Sequence, residues 1–163
     1  MAGDWGTLRK LGSTNLLVTG ICVGTSPLGS MPQLYGYDVG TARALGTVRA
    51  AFAGPINFMD TSNGYSQGES ERRIGDVIRE SGGLPMGFVL ATKVDADRQT
   101  KAFDGARVRK SVEESFERLG IDRCQLMYLH DPEYNVGFEG AMAKGGAVEA
   151  LLDLQQQGVL ENI

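Results

Sequence analysis

The sequence predicts an α/β fold, half of a (β/α) barrel made of about four βα units preceded by a β-hairpin. Apolar strand-like runs alternate with amphipathic stretches through residues 21–158, the pattern of a parallel sheet covered by helices. Asp60 with Tyr65, Lys93 and His130 each follow the end of such a run, and a barrel collects its chemistry from the carboxyl ends of successive strands. No G-x-G-x-x-G opens the first helix and no Walker pattern ends in Lys-Ser or Lys-Thr, which argues against a doubly wound dinucleotide-binding sheet.

Residues 7–10 and 15–19 are short strand-like runs on either side of the turn pair Gly12-Ser13, so 7–19 should form the hairpin. Strand 21–25 leads into a long loop rich in Gly, Pro and Tyr. A helix is expected over 41–53, with Leu45, Val48 and Phe52 at helical spacing and Gly54-Pro55 as its stop. After strand 56–59, Ser66-x-x-Glu69 is a candidate capping box for a second helix whose apolar face is Ile74, Val77 and Ile78. Strand 88–94 precedes a third helix with Asp104 as cap, Val108, Val112, Phe116 and Leu119 as its stripe, and Gly120 past its end. Strand 125–129 and a second long loop lead to a fourth helix, 147–157, with Val148, Leu151 and Leu152 expected inward. Residues 159–163 read as the start of a fifth strand, which makes 1–163 a single partial barrel.

The 163 residues are enough for one domain with a real core. A hydrophobic content of 42%, 22% charged residues and 23 glycines describe a soluble globular chain with many turns. The 16 Lys and Arg are scattered among 20 Asp and Glu, so no basic face is expected and no nucleic-acid partner. Residues 11–37 carry no charge, but Asn15, Pro27, Pro32 and repeated Gly, Ser and Thr make them too polar and interrupted for a membrane span. The first ten residues lack the basic-then-apolar pattern of an export signal. Cys22 and Cys124 show no metal-ligand spacing, and both are expected to be small core residues in a reducing cytoplasm. No metal site is expected.

A Tyr beside a Lys, an Asp and a His is equipment for moving a proton onto or off a carbonyl oxygen. When hydride reaches a carbonyl carbon, negative charge develops on oxygen and an acid must protonate it. A phenol is a weak acid, and a nearby ammonium favours its proton loss. Lys93 is placed to supply that ammonium, Asp60 to hold the lysine, and His130 to orient the substrate oxygen. Each has a plainer reading: a packed loop tyrosine, a snorkelling lysine, a turn aspartate, a turn histidine before Asp131-Pro132. Independent plain explanations would not place all four at corresponding strand ends. Ser62-Asn63-Gly64 is read as turn chemistry and residues 69–73 as a solvated helix face.

The segment Asp60-Thr61-Ser62-Asn63-Gly64-Tyr65-Ser66-Gln67-Gly68-Glu69-Ser70-Glu71 resembles the aldo-keto reductase signature, in which Asp and Tyr lie five apart and a Gly-x-Ser-Glu helix start follows. Ala91-Thr92-Lys93 and Leu129-His130-Asp131-Pro132 are similar to its lysine and histidine segments, and the His-Asp-Pro-Glu form looks most like the bacterial aldose and sugar dehydrogenases. The resemblance runs over nearly the whole chain. It implies the amino-terminal half of a (β/α)8 TIM barrel and an NAD(P)-dependent oxidoreductase acting on a small-molecule carbonyl or sugar, with Tyr65 as proton donor or acceptor. Lys93 and Asp60 would tune it and His130 would position substrate.

By the same resemblance Gly24, Thr25 and Asp60 would touch the nicotinamide end of NAD or NADP, and the hairpin would close the barrel bottom. Ser62, often Ala, and Ser66, often Gly, depart from the commonest motif. The later strands that hold the rest of the cofactor have no counterpart here, so the chain reads as truncated and leaves the choice between NAD and NADP open. Unpaired strand edges invite self-association. The long loops 26–40 and 131–146, with Tyr35, Tyr37, Tyr134 and Phe138, are expected to form part of the substrate wall. A second reading stays open, a non-catalytic interaction module that keeps the reductase scaffold.

Overall fold

The computed structural model describes residues 6–163; the reading of the opening segment as free of an export signal falls partly on residues 1–5, outside the described residues. Among the described residues, β1 (Arg9–Lys10) and β2 (Leu17–Val18) pair antiparallel as the opening hairpin. β3 (Val23–Gly24), β4 (Phe58–Asp60), β5 (Val89–Val94) and β6 (Leu126–Leu129) then form a parallel sheet in chain order. Strands that neighbour in sequence also neighbour in space, each joined by a helical crossover, as in a barrel. The segment 159–163 runs beside β6: Leu160 makes one parallel bridge to Cys124, and the Met127 N–H donates to the Asn162 carbonyl at 3.0 Å, so the expected fifth strand begins here.

The first long loop contains a 3-10 turn, Ser26–Gly29, and a one-turn helix α1 (Pro32–Tyr35), each with a proline in its first two positions, where the missing N–H is no loss. Helices α2 (Thr41–Ala53), α3 (Glu69–Glu80), α4 (Gly105–Leu119) and α6 (Ala147–Gln156) lie where the hydrophobic periodicity put them, and a short α5 (Gly137–Met142) sits in the second long loop. Asp104 caps α4 by accepting the Arg107 N–H at 2.9 Å, and Gly120 ends it in a left-handed conformation. No described helix is long and apolar enough to cross a membrane.

Period-two alternation sorts the sheet into two faces. Met59 and Leu90 point outward into a core with Ala44, Val48, Ile74, Val77 and Leu119, while Val94 and Met127 join Val108, Val112, Leu151 and Leu160. The opposite parity, Phe58, Val89, Ala91 and Leu126, packs on Leu16 and Val18 of the hairpin. The hairpin therefore stoppers the amino-terminal end of the concave face. Asn57 locks it there: its side chain donates to the Leu17 and Gly87 carbonyls at 2.9 and 2.8 Å and accepts the Thr19 N–H at 2.8 Å.

Several expectations need correction. Ser66-x-x-Glu69 is not a capping box: Ser66 and Gln67 take left-handed conformations inside a 3-10 turn, Tyr65–Gly68, and Gly68 occupies the cap position. That turn carries the Ser66 hydroxyl away from the first helical N–H groups and toward the Ser30 carbonyl. In α6 the inward residues are Ala147, Ala150, Leu151 and Leu154, whereas Leu152 is half exposed and Val148 only partly buried. The small side chains at 147 and 150 share a core with Val108 and Val112 of α4, and the Arg109–Asp153 pair at 2.7 Å flanks the contact. Cys124 is buried as expected, but Cys22 is exposed, because Val23 takes the helix-side core and alternation sends its neighbour to the other face.

The run 69–73 is not a solvated face either. Glu71 is completely buried and Arg73 nearly so. Arg73 donates to the Leu28 and Val39 carbonyls, pinning the first long loop to α3, while its Nε donates to Glu69 at 3.0 Å. Where α3 crosses α4, a Cβ on Gly75 would stand 2.0 Å from the Arg118 carbonyl oxygen, so the approach of the two helices depends on a glycine there.

Candidate active site

The carboxyl ends of β4 and β5 deliver Asp60 and Lys93 to the concave face, and the turn after β4 folds Tyr65 back over them. The Lys93 ammonium donates to Asp60 Oδ2 at 2.6 Å, to the Thr61 carbonyl at 2.7 Å and to the Tyr65 hydroxyl oxygen at 3.0 Å. An ammonium has three N–H bonds, and all three are engaged. The phenol accepts from the lysine, so its own proton is left to point elsewhere. Burial pulls the Lys93 pKa down, but hydrogen bonds to Asp60 and Tyr65 outweigh it and the net shift is upward, which keeps the group cationic. The same ammonium lies 4.6 Å from the Tyr65 ring centroid.

His130 follows β6, its ring nearly perpendicular to that of Tyr65 with centroids 5.8 Å apart. The structure thus brings Asp60, Tyr65, Lys93 and His130 to one rim. Tyr128, opposite Lys93 in register, shares the concave face, and burial and the Asp60 charge raise its pKa.

The residues named for a nicotinamide contact separate. Gly24 is exposed, with nothing within 4 Å of where a Cβ would stand, beside the partly exposed Asp60. Thr25 is fully buried, its hydroxyl donating to the Asp60 carbonyl at 2.9 Å with the Ser70 hydroxyl also in reach at 3.1 Å. It ties strand ends together and offers no surface to a ligand. Gly24 leaves open space at the mouth of the sheet. No group of three or more His, Cys, Asp or Glu that could hold a metal ion occurs among the described residues.

Three residues here escaped sequence reasoning. Asp95 sits two positions past Lys93 and faces His130 Nδ1 with Oδ1 at 2.6 Å. Ser62, read as turn chemistry, is fully buried and bonds both Asp95 and His130 Nδ1, the latter at 3.2 Å. Asn63 is likewise internal, its amide donating to the Ser111 carbonyl and the Glu114 carboxylate. The usable signal was alternation: 91, 93 and 95 share a face, so Asp95 continues the row that carries Lys93.

The bond to Asp95 raises the His130 pKa against the opposing effect of burial. Burial pushes the Asp95 carboxyl up, but His130, Ser62 and the Gly64 N–H together hold it below its ordinary value. A raised histidine contributes stability that is complete below about pH 6.5 and lost as pH rises through its folded value; a lowered aspartate contributes above about pH 4 and loses it as pH falls. Thermal unfolding of His130→Gln beside the parent protein should therefore show its largest deficit between about pH 4 and 6.5. The deficit should narrow on either side.

The Aldo/keto reductase family model matches residues 20–163. The chain belongs to the aldo/keto reductase family. It is 36% identical over 151 residues to L-galactose dehydrogenase of Arabidopsis thaliana, covering 93% of this chain and 45% of that protein. It is 31% identical over 145 residues to D-threo-aldose 1-dehydrogenase of a Pseudomonas species, covering 74% and 42%. Among solved structures, an aldo-keto reductase of Bacillus halodurans in its holo form superposes with a TM-score of 0.70 at 25% identity, covering 95% of this chain and 48% of that one. The chain spans about half the length of these relatives, and its hairpin and four parallel strands are the amino-terminal half of a (β/α)8 barrel.

Proposed function

We propose that Asp60, Tyr65, Lys93 and His130 form the acid–base centre of an NAD(P)-dependent oxidoreductase that interconverts an aldehyde, ketone or aldose with the corresponding alcohol or lactone. The observation that carries this reading is the saturated lysine. Because Lys93 spends its N–H bonds on Asp60, Thr61 and Tyr65, the Tyr65 hydroxyl accepts from a fixed cation and donates its proton outward, toward the mouth.

A bound nicotinamide cofactor supplies or accepts hydride, and Gly24 with Asp60 would border its ring. In the reducing direction Tyr65 gives its proton to the substrate oxygen, and the Lys93 ammonium stabilises the charge left on the phenol oxygen. In the oxidising direction the same oxygen takes the proton back. His130 would orient the substrate oxygen by hydrogen bonding. A sugar substrate is favoured by the similarity to the two sugar dehydrogenases. The exposed Tyr35, Tyr37, Tyr134 and Phe138 would supply apolar faces against which a sugar ring can pack.

The test is to titrate NADH and NADPH into the protein while following nicotinamide fluorescence, then to supply aldoses and simple aldehydes. It should be run on the 163-residue chain and on a longer protein that contains it. Cofactor binding with carbonyl or aldose turnover in at least one form is expected. A complete barrel that binds the cofactor yet turns over neither class would overturn the reading.

A further inference from the structure

Asp95 lies one residue beyond β5, and its carboxylate is shared between the two segments that carry Tyr65 and His130. Oδ1 faces His130 Nδ1 at 2.6 Å, while Oδ2 accepts the Gly64 N–H at 2.7 Å and the Ser62 hydroxyl. The backbone beneath is held by α4: the Asp95 N–H donates to Ser111 Oγ at 3.1 Å, and its carbonyl accepts from Arg107 Nε at 2.9 Å. A Cβ on Gly64 would stand 2.9 Å from Oδ1 and 3.1 Å from Oδ2. A side chain there would press on the carboxylate, so the bridge as it stands suits glycine at residue 64.

We propose that Asp95 is a positioning residue that fixes both halves of this acid–base centre, holding His130 with a proton on Nδ1 and pinning the 62–64 turn that delivers Tyr65. The inference rests on the reading of Tyr65 and His130 as the groups that meet the substrate oxygen. With Nδ1 committed to the carboxylate, Nε2 is the ring nitrogen left to meet a substrate oxygen, an acceptor when the ring is neutral and a donor when it is protonated. The other charges around the ring are Asp131, whose Oδ2 lies 3.8 Å from Nε2, and the Lys93 ammonium, which opposes protonation; the Tyr65 ring stands nearly perpendicular to it. Asp95 has the closest contact with the ring, and its charge keeps Nε2 a donor to higher pH than a free histidine would.

One measurement needs neither cofactor nor turnover. His130 is the sole histidine of the chain, so nitrogen NMR of 15N-histidine-labelled protein gives one ring without assignment variants. In the parent protein the ring should titrate above about pH 6.5 and carry its neutral-state proton on Nδ1. Asp95→Asn should lower the midpoint and speed exchange of the Gly64 amide roughly tenfold, while amides within β5 keep their protection. Asp95→Glu, which keeps the charge on a longer arm, should restore part of the midpoint but not the Gly64 protection.

A parent midpoint at or below about 6.5, or a neutral-state proton on Nε2, overturns the proposal even if the asparagine variant fails to fold. So does an asparagine variant with parental midpoint and parental Gly64 exchange. A protein that never binds nicotinamide would leave these readouts intact, which separates failure of the functional reading from failure of this one.

Discussion

Tyr65→Phe should lower kcat for carbonyl reduction by about 10²- to 10⁴-fold, the usual worth of a positioned general acid, with nicotinamide binding unchanged. The substitution removes one oxygen and little else. Lys93 keeps its bonds to Asp60 and the Thr61 carbonyl, and the phenyl ring can keep its edge contact with His130. What disappears is the one hydroxyl that accepts from the ammonium and still has a proton to give. Cofactor binding measured by fluorescence and turnover measured at the nicotinamide absorbance band would separate the two effects in a protein that carries this chain in a complete barrel. Turnover within a few-fold of the parent would mean that another group protonates the substrate.

Arg118→Ala should be the most damaging single change to stability among the charged residues, costing about 3–5 kcal/mol, the penalty for stranding one member of a buried ion pair. Glu71 is fully buried, where its carboxylate accepts from Thr92 Oγ1 at 2.7 Å and from Arg118 Nη1 at 3.2 Å. Burial raises the Glu71 pKa, and Thr92, Ser115 and Arg118 only partly oppose that. The same guanidinium donates to the Asn63 carbonyl at 3.0 Å, so its loss also frees the turn ahead of Tyr65.

The sign of the pH effect follows. A folded carboxyl with a raised pKa binds its proton more tightly than the unfolded one, so stability declines as pH rises above about 4.3. Removing Arg118 makes the decline larger and extends it to higher pH. Urea unfolding at pH 7 and pH 5 would measure both, and thermal unfolding should show a fall in Tm of about 6–20 °C for a chain of this size. Glu71→Gln on the same background should recover part of the loss, because it removes the unpaired charge. A deficit below about 1 kcal/mol, as for an exposed pair, would contradict this account.

The polar runs show where local reading stops. Residues 69–73 contain Glu, Ser, Glu, Arg and Arg in sequence, which by hydropathy is a water-facing helix turn. Glu71 meets Thr92 across 21 positions and Arg73 meets Leu28 across 45, and no window of local sequence contains those partners. Ser62 and Asp95, 33 apart, have the same history. The misjudged rotation of α6 has a related cause: Leu152 is as apolar as Leu151, and only the position of α4 decides which of them is covered.

From local chemistry alone came the order of strands and helices, the Asp104 cap, the hairpin and the convergence of Asp60, Lys93 and His130, because backbone hydrogen bonding and alternation act over a few residues and a βα repeat carries each strand end to the same side. Tertiary packing alone decided which charges are interior, which face of α6 is covered, and that Asp95 joins the Tyr65 turn to His130. The physical reason is desolvation. A carboxylate's role depends on whether donors from distant strands surround it once water has been excluded, and that is a property of the folded neighbourhood rather than of the residue.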